Sequence, residues 1–281
     1  MIVKNESHII RYTLNSLISK IPEIDYYVIC DTGSIDNTPQ IITEFFQEKK
    51  IRGELHHDEW KDFGYNRSKA LEYAFNKIKY LIIFDANNEI IGDFKLPANL
   101  DKYDALNLQF GPQLYEKTLI IKNDKKWRFK GVLHEYIDAI SFTPKTITIK
   151  GNYHIISCRT GNRNKDLLKY KKEAIILEKA FKDAQEQNDD IFNRYAFYCA
   201  QSYNDAGENE NAIIWYNKRL DLNGCIQEKY WSCFQLYKKL KDQGKENEGI
   251  YFLVKSFEYD IERYECMYEL IQYYCSKGLD K

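Results

Sequence analysis

Tyr26-Tyr27-Val28-Ile29-Cys30 runs straight into Asp31-Thr32-Gly33-Ser34-Ile35-Asp36-Asn37-Thr38, and this stretch decides the fold. A short, β-rich apolar run reads as a strand buried on both faces, the habit of parallel sheets. Thr38-Pro39 then opens a helix, with the threonine as cap and the proline at the first helical position. Ile41, Ile42, Phe45 and Phe46 supply that helix's buried face. Upstream, Ile9, Ile10, Leu14, Leu17, Ile18 and Ile21 recur at helical spacing until Pro22. Downstream, Leu55 to Asp58 reads as a short strand and Phe63, Ala70, Leu71, Ala74, Phe75 and Ile78 as an amphipathic helix. Tyr80 to Phe84 is the next buried strand. The order βαβαβ predicts an α/β domain around a mostly parallel sheet.

Two more segments complete a constellation. Trp60-Lys61-Asp62-Phe63-Gly64-Tyr65-Asn66-Arg67 sets an arginine near a helix start, and Tyr80-Leu81-Ile82-Ile83-Phe84 stops abruptly at Asp85-Ala86-Asn87-Asn88-Glu89. Two apolar strands therefore end in carboxylates. Alternating α/β sheets bind nucleotides where strand ends meet helix N-termini. The three segments together point to a nucleotide diphosphate and a divalent cation.

From about 103 to 151 the rhythm changes. Ala105 to Phe110, Thr118 to Ile121, Trp127 to Phe129 and Thr146 to Lys150 read as short strands, with a hairpin turn at Asn123-Asp124. After Cys158 the pattern is all helix. Arg194 to Tyr203, Lys229 to Tyr237 and Arg263 to Leu270 resemble one another, and each precedes a glycine, at Gly207, Gly244 and Gly278. A small residue at the helix contact, an aromatic two turns on and a glycine turn match paired-helix repeats of about 34 residues. The polar stretch Arg159 to Arg163 marks the boundary, giving domains 1–158 and 159–281.

Lysine and arginine total 41 against 42 acidic residues in 281, a net charge of −1. That removes electrostatic capture of nucleic acid or anionic membrane as a default. The basic segment Lys122 to Lys130 reads first as a solvated hairpin. Seven cysteines, without a C-x-x-C pair or metal spacing, favour a reducing compartment over a disulfide framework. No apolar stretch is long enough to span a membrane and none reads as a signal peptide, so the expected location is soluble and cytoplasmic.

Met1-Ile2-Val3-Lys4-Asn5-Glu6, the 31–38 segment, Trp60 to Gly64, Asn66-Arg67 and Asp85-Ala86-Asn87 resemble family 2 glycosyltransferases with a tetratricopeptide-like extension. Trp127-Arg128-Phe129-Lys130-Gly131-Val132-Leu133-His134-Glu135 and Tyr198 to Gly207 continue the likeness in the same order. The resemblance implies a Rossmann-like, GT-A type nucleotide-sugar domain with a mixed, mostly parallel sheet, followed by an all-α helical-repeat domain. It implies inverting transfer of a sugar from a UDP-sugar to a hydroxyl acceptor. Two departures stand out. The family usually carries apolar residues ahead of the Met1–Glu6 segment, so the first strand is clipped. It also usually has Asp-x-Asp where this chain has Asp85-Ala86-Asn87, and losing a carboxylate weakens a hard cation site.

By that resemblance Asp31 accepts the N3–H of uracil, with Val3, Asn5 and Glu6 framing the donor pocket. Read from the residues alone, Asp31 instead caps its own loop, as Asp commonly does before Thr-Gly. Asp36 caps the Pro39 helix. Arg67 binds the diphosphate, or else pairs with Glu59 or Asp62. Asp85 meets ribose and a Mn²⁺ or Mg²⁺ ion, with Asn87 as a weakened ligand, Glu89 as a substitute carboxylate and His154 as a further ligand. Glu135, beside His134, is the base that inversion requires, with Asp138 in reserve. His134-Glu135 also reads as an ordinary helix start. The aromatic repeats are mostly core, and their concave face suits a polypeptide or glycan acceptor. Two rival readings remain. One is a degenerate, non-catalytic member serving as a repeat scaffold. The other, a sugar-phosphate nucleotidyltransferase, requires a Gly-rich basic loop that Met1 to Arg11 lacks.

Overall fold

A computed structural model describes residues 1–111, 115–158 and 160–278. Arg159, the first residue of the expected polar boundary, lies outside them. The chain forms two compact units, Met1–Asp166 and Leu167–Lys281.

The first unit opens with β1 (Ile2–Val3), α1 (Ile10–Lys20), β2 (Tyr26–Asp31), α2 (Thr38–Lys49), β3 (Arg52–His57) and α3 (Phe63–Ala74). β1, β2 and β3 form a three-stranded parallel sheet, with Val3 opposite Asp31 and Asp31 opposite His57. Asp31 therefore stands at the carboxyl edge of a parallel sheet, as its apolar approach predicts. The helix start differs in detail. Thr38 is already helical, and its buried hydroxyl accepts from Glu6 N–H (2.7 Å) while donating to Asp36 Oδ1 (2.6 Å). Asp36 does the capping, accepting from the N–H of Thr38 (3.0 Å) and of Ser7 (3.1 Å).

Burial alone raises the Asp36 pKa, but these hydrogen bonds outweigh it and bring the value down to about 2. Its stabilisation is therefore complete above the unfolded value near 4 and disappears as pH falls through about 2. Asp36→Ala should cost about 1–2 kcal/mol at pH 7 in urea melts, the range of a lost cap. The gap to the unsubstituted protein should close as pH approaches 2.

The next strands are β4 (Tyr80–Ile82), β5 (Asn88–Gly92), β6 (Ala105–Phe110), β7 (Tyr115–Lys122), β8 (Trp127–Lys130), β9 (Tyr136–Ala139), β10 (Thr146–Ile149) and β11 (Tyr153–Ser157). β4 does not continue the parallel sheet. It pairs antiparallel with β7 at the edge of a second sheet of order β4-β7-β6-β11-β5, in which β10 also pairs with β6. That sheet is mixed, with β10–β6 and β11–β6 parallel and β6–β7 and β11–β5 antiparallel. Asn123-Asp124 turns the chain but makes no hairpin. β7 and β8 belong to different sheets, and buried Asn123 instead donates to the carbonyls of Ala74 and Ile78. α1 spans two cores, with Leu14 packed among Val3, Ile29 and Phe45, and Leu17 and Ile21 among Phe84, Leu106 and Ile155.

The second unit consists of α4 (Lys169–Glu186), α5 (Phe192–Asp205), α6 (Asn209–Asp221), α7 (Ile226–Asp242), α8 (Glu246–Ser256) and α9 (Glu265–Ser276). Cys199, Cys233 and Cys266 are fully buried on α5, α7 and α9, and all seven cysteines are free. Gly207, Gly244 and Gly278 follow α5, α7 and α9 with φ of +76°, +75° and +71°. This left-handed conformation ends a helix cheaply only in glycine, so one residue type recurs at one job. The region fits helical repeats. No helix of the described residues is long and apolar enough to cross a membrane.

Candidate active site

The site lies within the first unit, and α3 positions its centre. Asp62 caps α3 by accepting from Tyr65 N–H (2.8 Å). Phe63 N–H donates to Val132 O (3.2 Å), and Phe129 N–H to Ser68 Oγ (2.8 Å), so α3 is stitched to β8 and the turn after it. Gly64 allows this approach, because a Cβ there would lie 2.3 Å from Gly131 O. Arg67 is thereby carried under β8, with its guanidinium carbon 5.5 Å from the centre of the Phe129 ring.

Arg67 joins two carboxylates that are distant in sequence. Its Nη2 donates to Asp85 Oδ1 (2.6 Å), and its Nε lies 2.7 Å from Glu135 Oε1. The side chains of Arg67 and Glu135 are only 12% and 13% exposed, so the cluster is screened from solvent. Burial by itself lowers the Arg67 pKa, but Asp85 and Glu135 outweigh it and raise it. Burial raises that of Asp85, yet Arg67, followed by Lys117, brings it below the usual carboxylate range. The expected partners Glu59 and Asp62 are not the ones Arg67 uses.

Around the 31–38 turn Val3, Asn5 and Asp31 come together. Val3 O accepts from Thr32 N–H (2.9 Å), and Asn5, at φ +56°, accepts from Ile35 N–H (2.8 Å). Asp31 is buried and accepts from Ser34 N–H at 3.3 and 3.1 Å, so the loop-capping reading holds. His57 Nδ1 lies 3.4 Å from Asp31 Oδ2. None of these contacts includes Arg67. The Glu6 carboxylate accepts from Asn162 N–H at 3.3 and 3.2 Å, and burial raises its pKa. A Cβ on Gly161 would sit 3.2 Å from Glu6 Oε1 and 3.6 Å from Asn87 Nδ2, which sets Glu6 and Asn87 together beside Gly161.

The tip after β4 is held by residues that the sequence pattern does not single out. Thr13 Oγ1 donates to Ala86 O (2.6 Å) and Cys158 N–H to Asn87 O (2.9 Å). Thr13 is a buried hydroxyl on the apolar face of α1, the kind of misfit that hints at such a bond. Phe129, Ser68 and Gly131 carry no comparable signal.

Several expected site residues lie elsewhere. Asn87 Nδ2 donates to Ser157 Oγ (3.1 Å), whereas His154 occupies the opposite face of β11 by strand alternation, so the two do not converge on one ion. Glu89 accepts from Tyr12 O–H (2.6 Å) and so is already engaged. Asp138 Oδ2 accepts from Arg128 Nε (3.0 Å) and Nη2 (2.8 Å) on the face of the β8–β9 ribbon away from Phe129, which removes it as a reserve base. His134-Glu135 starts no helix. His134 takes φ +51° in the turn before β9 and so delivers Glu135 to Arg67. Among the described residues, no three His, Cys, Asp or Glu side chains gather to hold a metal. Asp85 with the amide oxygen of Asn87 remains. Such a pair suits a Mg²⁺-like ion that takes its other ligands from phosphates and water.

Residues 1–166 match the family described as Glycosyl transferase family 2. The chain belongs to that family. As a family 2 member it is 31% identical over 148 residues to the SPbeta prophage-derived glycosyltransferase SunS of Bacillus subtilis, covering 48% of this chain and 33% of that protein. It is 29% identical over 149 residues to a TPR repeat-containing protein of Synechococcus elongatus, covering 49% of this chain and 34% of the other. The matches thus span about a third of the length of these relatives. Among solved structures, S. aureus TarS 1-349 in complex with UDP-GlcNAc aligns at 14% identity and TM-score 0.46, covering 92% of this chain and 90% of that one. The mannosyltransferase PcManGT of Pyrobaculum calidifontis, in complex with GDP-Man and Mn²⁺, aligns at 12% identity and TM-score 0.44, covering 91% and 85%.

Proposed function

We propose that this family 2 member is an inverting glycosyltransferase that moves a sugar from a UDP-sugar to an acceptor hydroxyl, assisted by Mn²⁺ or Mg²⁺. The half-buried Asp85–Arg67–Glu135 cluster carries the reading. In it a guanidinium stands ready for a diphosphate beside two carboxylates of different surroundings. Asp31 accepts the uracil N3–H, with Val3, Asn5 and Glu6 along the donor side. Glu135 removes the acceptor's proton as its oxygen bonds to the anomeric carbon, on the face opposite the leaving group. The bond from that carbon to the diphosphate breaks, and its electron pair leaves with UDP. Arg67 stabilises the charge that develops there. Asp85 and the Asn87 amide oxygen would hold the divalent ion, which supplies Lewis-acid neutralisation of the diphosphate. The helical repeats (residues 159–281 in the domain division from sequence) present a polypeptide or glycan acceptor.

Two observations favour the scaffold reading: Asn87 stands where the family usually has a carboxylate, and Arg67 is already ion-paired with Asp85 and Glu135. Calorimetry with UDP separates the two readings. The enzyme reading expects Mn²⁺ to tighten UDP binding by about tenfold, roughly 1.4 kcal/mol. It also expects Asn87→Asp to deepen that metal dependence and raise hydrolysis of the donor. Absence of UDP binding with or without Mn²⁺, in both proteins, would leave only the scaffold.

A further inference from the structure

The segment that follows β11 returns to the candidate site and links residues from several of its parts. Up to Asp166 it belongs to the first unit. Thr160 O lies 2.8 Å from His8 Nε2, and Asn162 N–H donates to the Glu6 carboxylate, both just ahead of α1. Gly161 between them is buried, and a Cβ there would sit 3.6 Å from Asn87 Nδ2. A single 3₁₀ turn, Asn162–Lys165, then meets α3, where the Arg163 guanidinium carbon lies 4.5 Å from the centre of the Phe63 ring. Phe63 and Arg67 are four residues apart on α3 and so share a helix face. Arg163 therefore packs one helical turn before Arg67, on a segment anchored beside Glu6 and Asn87.

Charge says what such a residue is for. Arg67 faces the carboxylates of both Asp85 and Glu135, which leaves the trio net negative. A diphosphate adds negative charge of its own, and Asn87 offers a cation an amide where a carboxylate would bind it more strongly. Binding the donor thus calls for further positive side chains. Lys117 is one, since its charge reaches Asp85. Arg163 is exposed, yet its planar group rests against an aromatic ring that limits its freedom. A guanidinium held in this way suits phosphate oxygens, which it meets through two parallel N–H groups.

We infer, on the reading of the chain as a UDP-sugar-dependent transferase, that Arg163 is a second guanidinium of the donor site and meets the diphosphate. Glu6 and His8 serve the donor through this segment. They hold backbone groups on either side of Gly161 and so fix where Arg163 projects.

Calorimetry with UDP and ligand-detected NMR with uridine test this on the full chain. Arg163→Gln should weaken UDP binding by about tenfold and leave uridine binding unchanged, because the nucleoside has no phosphate to meet. Arg163→Lys keeps the charge without the fork and should fall between the parent and Arg163→Gln. Parental UDP affinity in Arg163→Gln overturns the proposal. So does an equal loss for UDP and uridine, which would make Arg163 a purely structural residue. Failure of the parent itself to bind UDP overturns the proposed function and this role together, and that result is read without any variant.

Discussion

Arg67→Leu should destabilise the protein by about 3–5 kcal/mol at pH 7 and lower its affinity for UDP by at least about 30-fold. Two effects combine. Leucine leaves the half-buried carboxylates of Asp85 and Glu135 without a counter-charge, and it removes the guanidinium proposed to meet the diphosphate. The pH dependence identifies the cause. In the unsubstituted protein the folded Asp85 carboxyl has a depressed pKa. Its stabilisation is present above the unfolded value near 4 and is lost as pH falls through the lower folded value. Without Arg67, burial dominates at Asp85, and its folded carboxyl binds a proton more tightly than in the unfolded chain. The variant should then regain stability as pH drops from 7 towards 4. Arg67→Lys keeps a charge but not the fork that spans both acids, and should fall between the two. Urea melts at several pH values, with UDP calorimetry alongside, check this. An Arg67→Leu protein with the parental stability and acid profile would mean that the cluster has no energetic role.

Glu135→Gln should lower kcat for sugar transfer by about 10²–10⁴-fold while changing the Kd for UDP by less than about threefold. Glutamine keeps the shape and an oxygen for Arg67, but it cannot take up the acceptor's proton. A matching loss of kcat and of donor affinity would instead indicate that Glu135 only positions Arg67. Full turnover would move the base elsewhere. Asp138→Asn serves as the comparison. Its carboxylate is tied to Arg128 on the other face of the ribbon, so transfer should stay within about twofold of the parent.

Much of the first unit follows from local pattern. β2, its turn and α2 lie where the apolar run and Thr38-Pro39 place them, because strand burial and helix entry depend on neighbouring residues. The repeat glycines are legible for the same reason, since each performs a job set within one helical turn. β5 and β9 escape notice because Asn88-Glu89 and Asp138 interrupt their apolar character; they are strands by virtue of their partners, β11 and β8. Sequence neighbours also misdirect at Arg67. Glu59 and Asp62 lie at plausible spacing, but the approach of α3 to β8 turns the guanidinium towards Asp85 and Glu135 instead.

By itself, then, the chain's sequence determined which residue types end its strands and open its helices, and the ordered motifs that place it in glycosyl transferase family 2. Those are matters of spacing and side-chain chemistry along a continuous backbone. Tertiary structure alone decided that Arg67 pairs with Asp85 and Glu135, that Asp138 and His154 face away, and that β2 and β4 line a common cavity. Such outcomes depend on which elements stack against one another, and a carboxylate's partner is fixed by that stacking rather than by its distance along the chain.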